Sequence, residues 1–257
     1  MSVAAENAVL EMRGVSVSFT SGAGAKRRTV RAMNEVSLSV APGETLGLVG
    51  ESGSGKTTTA AVALGLRAPD SGDVRLLGRP MSRSRRATAG KIQAVLQHPH
   101  WSLNPRRRVG ESVREPLTVA RRDLDREQQR TRVGEMLEHV GLNPGFADRY
   151  PHELSGGQRQ RVSVARALVT EPRFIVFDEA VSALDVAVQM QILALIRELQ
   201  QQHRFGALFI SHDLGAVQRV ADRVAVLFRG DLVETAGTAQ FFAAPSHPYS
   251  QQLLETL

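Results

Sequence analysis

The sequence predicts an α/β fold: a core with a mostly parallel sheet, an N-terminal antiparallel β subdomain and an inserted α-helical subdomain. Three observations carry this. Short apolar strands alternate with helix-period segments through residues 45–66 and again through 173–221, the pattern of a parallel sheet covered on both faces. The first 40 residues are β-rich, with apolar side chains at period two. Residues 98–170 break the alternation and read as mainly helical. A chain of 257 residues suits one domain with a subdomain. Its expected parts are 1–97 (β subdomain and first part of the core), 98–170 (helical subdomain), 171–237 (second part of the core) and 238–257 (tail).

The elements follow in order. "VSVSF" (15–19) puts Val15, Val17 and Phe19 on one strand face, and "VSLSV" (36–40) does the same with Val36, Leu38 and Val40. "TSGAGAKRRT" (20–29) between them is a polar, Gly-rich loop. "APGE" (41–44) turns into the short apolar strand "TLGLV" (45–49), and "TTTAAVALGL" (57–66) is helical. "DVRLLG" (73–78) and "KIQAVLQ" (91–97) are strands. "HPHWSLNPRRR" (98–108) is irregular, and 125–142 is a helix with Val133, Met136, Leu137 and Val140 on one face. "RFIVFDE" (173–179) is a buried strand, 186–202 a helix, "ALFISHD" (207–213) a strand, 214–221 a helix and 224–236 a hairpin.

Composition excludes several classes. Hydrophobic residues are 42% and charged residues 23%, ordinary for a globular protein. No apolar run approaches the roughly 18 residues a membrane span needs, and the first residues do not read as a signal peptide. The absence of cysteine excludes disulfides and cysteine-bound metal. All but three of the 32 basic residues are arginine, giving a net charge of +6. The arginines are scattered, so the balance reads as a solvated surface rather than a nucleic-acid footprint.

The chemistry starts at "GESGSGKT" (50–57), which follows a strand and opens a helix. Gly53 and Gly55 let backbone N–H groups wrap phosphates. Lys56 reaches the β- and γ-phosphates, and Thr57 offers a hydroxyl to Mg²⁺. The bland alternative is a Gly-rich turn with a chance lysine. In "FIVFDE" a buried strand delivers two carboxylates at its end. Asp178 suits the Mg²⁺ shell, and Glu179 suits the general base for an attacking water, a role worth about 10²–10⁴-fold in rate. "HELSGGQRQR" (152–161) poses a question: Ser155 and the Gly156–Gly157 pair open a helix fit for a second anion.

The order of the phosphate loop, Gln97, "LSGGQ" (154–158), "FIVFDE", "SALD" (182–185) and "SHD" (211–213) resembles the ATP-binding cassette family over essentially the whole chain. The resemblance implies a P-loop NTPase (RecA-like) core, with ATP and Mg²⁺ as cofactors. It also answers the question, because in that family two cassettes pack head to tail. Each ATP lies between the phosphate loop of one (here Gly50, Ser52, Gly53, Ser54, Gly55, Lys56, Thr57 and Thr58) and the signature loop of the other (Leu154, Ser155, Gly156, Gly157 and Gln158). Gln97 then touches Mg²⁺ or the water, Asp185 acts across the dimer, and His212 contacts the γ-phosphate. Phe19 matches the adenine-stacking aromatic, though its strand face also suits core packing. The family usually has proline after the Asp-Glu pair; this chain has Ala180.

Residues 102–117, 178–193 and the tail "FFAAPSHPYSQQLL" (241–254) resemble the dipeptide, oligopeptide and nickel importer branch. That implies two membrane permeases, a second and related cassette, an extracytoplasmic binding protein as indirect partner, and a peripheral position on the cytoplasmic membrane face. Segment 98–110, with Trp101 and Arg106–Arg108, then faces the permeases. The missing cysteines remove the iron–sulfur site of many branch members. A soluble cassette ATPase acting on ribosomes or nucleic acid and an exporter cassette are the alternatives. The tail and the Gln97 region favour the importer, without nucleic acid.

Overall fold

A computed structural model describes residues 8–21, 28–82, 84–96 and 103–255. The elements run β1 (Leu10–Ser21), β2 (Arg28–Val40), β3 (Thr45–Val49), α1 (Lys56–Ala63), β4 (Ser71–Leu76), β5 (Arg79–Pro80), α2 (Arg85–Thr88) and β6 (Ile92–Leu96). Then come α3 (Val109–Ala120), α4 (Arg126–His139), two 3-10 turns (Pro144–Asp148 and Pro151–Glu153), α5 (Gly156–Leu168), β7 (Phe174–Asp178) and α6 (Val186–His203). The chain ends with β8 (Gly206–Ile210), α7 (Leu214–Val220), β9 (Arg223–Phe228), β10 (Asp231–Gly237), α8 (Thr238–Ala243) and α9 (Pro248–Leu254). They form two compact units, 1–83 with 206–257, and 84–205.

The first unit holds two sheets. The outer one is antiparallel, in the order β2-β1-β4-β5. Its inward face takes Val15, Val17, Met33 and Val36, each fully buried. In the other, strands follow the order β10-β9-β3-β8. Strand β3 is parallel to both β8 and β9, and only β10 runs antiparallel. Every residue of β3 and β8 is buried, which is why these strands read as continuous apolar runs. Gly47 stands in the middle of β3 because α7 lies on it. A Cβ there would meet the Val217 side chain at 2.6 Å and Ala221 at 3.1 Å.

The second unit pairs β6 with β7 in parallel, Leu96 opposite Asp178, and adds helices α3 to α6. The sequence expectation of an α/β fold with antiparallel and helical additions is met. Helix α3 is less legible, because Pro116 lies inside it and cannot donate to a preceding carbonyl. The burial of Val109, Val113 and Leu117 at i, i+4 and i+8 holds the helix through that defect. The tail, read only by resemblance, folds as α8 and α9, with Pro248 at the first turn of α9 and the His247 imidazole accepting the Tyr249 N–H.

Candidate nucleotide site

Strand β3 ends at Val49 and β8 at Ile210, and the two are neighbours in register. The phosphate loop and Ser211–His212 therefore leave the same edge of the sheet. Gly50, Gly53 and Gly55 have φ of +147°, +81° and +113°, a region that side chains other than hydrogen rarely enter. At two of them space forbids a side chain as well. A Cβ on Gly50 would sit 2.1 Å from the Leu227 carbonyl oxygen, and one on Gly55 2.3 Å from that of Ala32. The loop thus lies close against the backbone of β9 and β2. Lys56 is buried and its Nζ donates to the Gly50 and Glu51 carbonyls at 2.7 and 2.8 Å.

Helix α1 begins at Lys56 with Gly55 as its cap, no capping side chain and no acid in the first turn. Its opening N–H groups and positive dipole end are left for an anion. The Ser54 hydroxyl, 4% exposed, has no hydrogen-bond partner and faces the same loop. Ser52 and Thr57 are exposed and Thr58 is partly buried. His212 is exposed beyond β8. Phe19 departs from Val15 and Val17: they are fully buried, while it is 48% exposed. The Arg67 guanidinium stands 5.1 Å from its ring centre. The shared strand face splits after Val17, where the β1–β2 register shifts, and Phe19 is not packed in the core.

In the second unit, Asp178 closes β7 and Glu179 follows with φ +48°. A non-glycine residue in the left-handed region costs on the order of 1 kcal/mol and re-aims the chain sharply. The Glu179 carbonyl accepts from both the Ser182 N–H and its hydroxyl, and Ala180 is buried. Gln97 and Trp101 lie outside the described residues. Arg106–Arg108 are exposed, but Arg108 is engaged: its guanidinium donates to the Asp148 carbonyl at 2.7 Å.

The signature loop is built differently from the phosphate loop. Ser155 Oγ accepts from Gln158 N–H at 3.3 Å while Gln158 Oε1 accepts from Ser155 N–H at 2.9 Å. This capping box starts α5 without help from a ligand, and Leu154 anchors it in the core. Gly156 and Gly157 pack on the segment where α6 begins. A Cβ on Gly157 would stand 2.6 Å from Val188 Cγ1, and one on Gly156 3.6 Å from Leu184 Cδ2. Asp185 caps α6 by accepting from Val188 N–H at 3.0 Å. The "LSGGQ" and "SALD" segments are thereby brought side by side.

A profile of the ABC transporter family matches residues 33–182. A Brucella abortus protein, provisionally named a peptide import ATP-binding protein, is 48% identical over 90% of this chain and 70% of that one. This chain belongs to the ABC transporter family. The oligopeptide transport ATP-binding protein AppF of Bacillus subtilis is 42% identical over 100% of this chain and 80% of its own length. Among solved structures, the ATP-binding cassette MJ0796, dimeric and bound to ADP and Pi, superposes with a TM-score of 0.77 at 27% identity, covering 89% of this chain and 98% of that one. The cbiO1 cassette of Clostridium perfringens, part of the cbiONQ transporter complex, gives 0.81 at 25% identity, covering 93% and 92%.

This cassette is therefore an ATP-binding ATPase. The uncapped α1, the orphaned Ser54 hydroxyl and the three positive-φ glycines fit a nucleoside triphosphate. Among the described residues no three His, Cys, Asp or Glu side chains gather as a metal site. Mg²⁺ in nucleotide sites takes one or two protein oxygens and completes its shell from phosphates and water. A cavity of about 530 Å³ in the second unit is lined by Arg108, Glu111, Arg114, Arg126 and Arg130 among others, and by none of these site residues. Sequence reasoning missed two contacts. Arg67 over Phe19 has no sequence signal, whereas the Tyr249 side chain, which reaches the phosphate loop, sat in a tail already singled out.

Proposed function

We propose that this cassette powers the import of peptides or metal chelates through a membrane permease, with its ATP sites formed between two cassettes arranged head to tail. The observation that carries the ATP half is the phosphate loop, whose glycine backbone and uncapped helix await a polyphosphate. In this reading Lys56 exchanges its loop carbonyls for the β- and γ-phosphates. Phe19, open to solvent, stacks on adenine. Thr57, Asp178 and Gln97 hold Mg²⁺, which when bound neutralises charge on the phosphates. Glu179 takes the proton of the attacking water, and His212 orients the γ-phosphate.

The second cassette contributes Leu154 to Gln158. Ser155 keeps a hydroxyl proton to donate, since the capping box uses only its oxygen as acceptor. The helix-terminal N–H groups near Gly157 add to it. Asp185 acts across the same interface. The import half rests on the relatives named for peptide and oligopeptide transport. Two permeases, a related second cassette and an extracytoplasmic binding protein complete the complex. The cassette sits peripherally on the cytoplasmic face. In this reading membrane attachment comes through the permeases; among the described residues no helix is long and apolar enough to cross a membrane.

The test is a Glu179→Gln cassette, tagged and recovered from solubilised native membranes with ATP. It should lose ATP turnover by about 10²-fold or more and carry two polytopic permeases and a second cassette with it. Recovery of ribosomes or nucleic acid instead, or undiminished turnover, would overturn the reading.

A further inference from the structure

The phosphate loop is held from an unexpected side. The Glu51 N–H, second residue of the loop, donates to the Tyr249 hydroxyl at 2.8 Å. Tyr249 lies on α9, near the end of the chain, and is 6% exposed. Its ring is 4.2 Å from that of Phe228, the last residue of β9. The helix is fixed in turn by Glu234 on β10. That carboxylate accepts the Ser246 and His247 N–H groups at 2.8 and 3.0 Å. The turn after Phe228 binds the loop too, with Gly230 N–H donating to the Ser54 carbonyl at 2.9 Å. The loop is thus clamped between the β9–β10 hairpin and the tail.

We propose that Tyr249 is a positioning residue for nucleotide binding and that α9 is a latch holding the phosphate loop in its binding shape. This rests on the loop being the ATP site. The physical reason is local. A partly buried backbone N–H needs an acceptor, and no loop residue supplies one to Glu51. Without the hydroxyl that N–H is orphaned, and the cheapest remedy is for the loop to turn it towards water. Any such turn disturbs a segment in which Gly50 and Gly55 already lie against neighbouring backbone, and whose Lys56 bonds the carbonyls of residues 50 and 51. The tyrosine hydroxyl bonds Glu51, which is not among the predicted phosphate ligands, so it acts through the shape of the loop.

The experiment compares ATP binding by full-length wild type, Tyr249→Phe, Phe241→Leu and Lys56→Ala, with melting of each nucleotide-free chain and amide exchange at Glu51. Tyr249→Phe keeps the ring on Phe228 and removes only the acceptor. It should weaken ATP binding about five- to tenfold and speed exchange at Glu51. Phe241→Leu loosens a fully buried tail residue without touching the loop. It should lower the melting temperature and leave ATP affinity unchanged. If Tyr249→Phe binds ATP like wild type, or if Phe241→Leu weakens binding as much, the latch is wrong. If Lys56→Ala binds ATP as well as wild type, the loop is not the ATP site and the prior reading falls instead.

Discussion

At the scale of single residues, the two glycine-rich segments are glycine-rich for different reasons. Gly50, Gly53 and Gly55 need left-handed backbone, while Gly157 needs room. Its φ is not positive; what excludes a side chain is Val188 Cγ1, 2.6 Å from where a Cβ would stand. Gly157→Ala should therefore destabilise the cassette by about 1–3 kcal/mol through overpacking, measured by urea unfolding. Val188→Ala in the same chain should restore most of that loss, a coupling that distant sites do not show. Failure of the second change to rescue the first would assign the cost to the backbone. The distinction was invisible in "SGGQ", because spacing tells which residues are small and not what approaches them.

At the scale of elements, the two glycine-rich segments start their helices differently. α5 and α6 carry side-chain caps on Ser155 and Asp185, and α1 carries none. Ser and Asp are ordinary capping residues, and the missing third cap is a feature of the phosphate loop. The other end of α6 bears on pH. Burial pushes the His203 imidazole below its usual range, and His139, with rings 6.0 Å apart, and Arg132 add to this against the opposing Glu171. A helix C-terminus ordinarily favours a charged histidine, so burial wins here. Above the ordinary value of 6.5 both folded and unfolded chains hold it neutral. As pH falls below that value the unfolded chain takes the proton and the folded one resists, so stability drops. The melting temperature should fall between pH 7.5 and 5.5, and His203→Gln should flatten that slope. An unchanged slope would assign the pH response to other groups.

At the scale of the whole molecule, the family resemblance covers the ends of the chain as well as its motifs, and the dimeric cassettes among the solved structures give the oligomer to test. Glu179→Gln with ATP and Mg²⁺ should stay monomeric alone and run as a dimer by light scattering once the related cassette is added. The wild-type pair, after turnover, should return to monomers. Persistence as a monomer with every cassette of the complex present would remove the head-to-tail arrangement.

The sequence by itself determined the α/β class, the phosphate loop, the carboxylate pair ending β7, and the family. These are local: a loop between strand and helix, or carboxylates leaving a buried strand, are written in consecutive residues. Only the tertiary structure decided that Phe19 stands open while Val15 and Val17 are buried, that Gly157 faces Val188, and that Tyr249 meets Glu51 across 198 residues of chain. Periodicity gives the face a side chain lies on. Packing between distant segments decides what that face touches, and no single stretch of the chain carries that information.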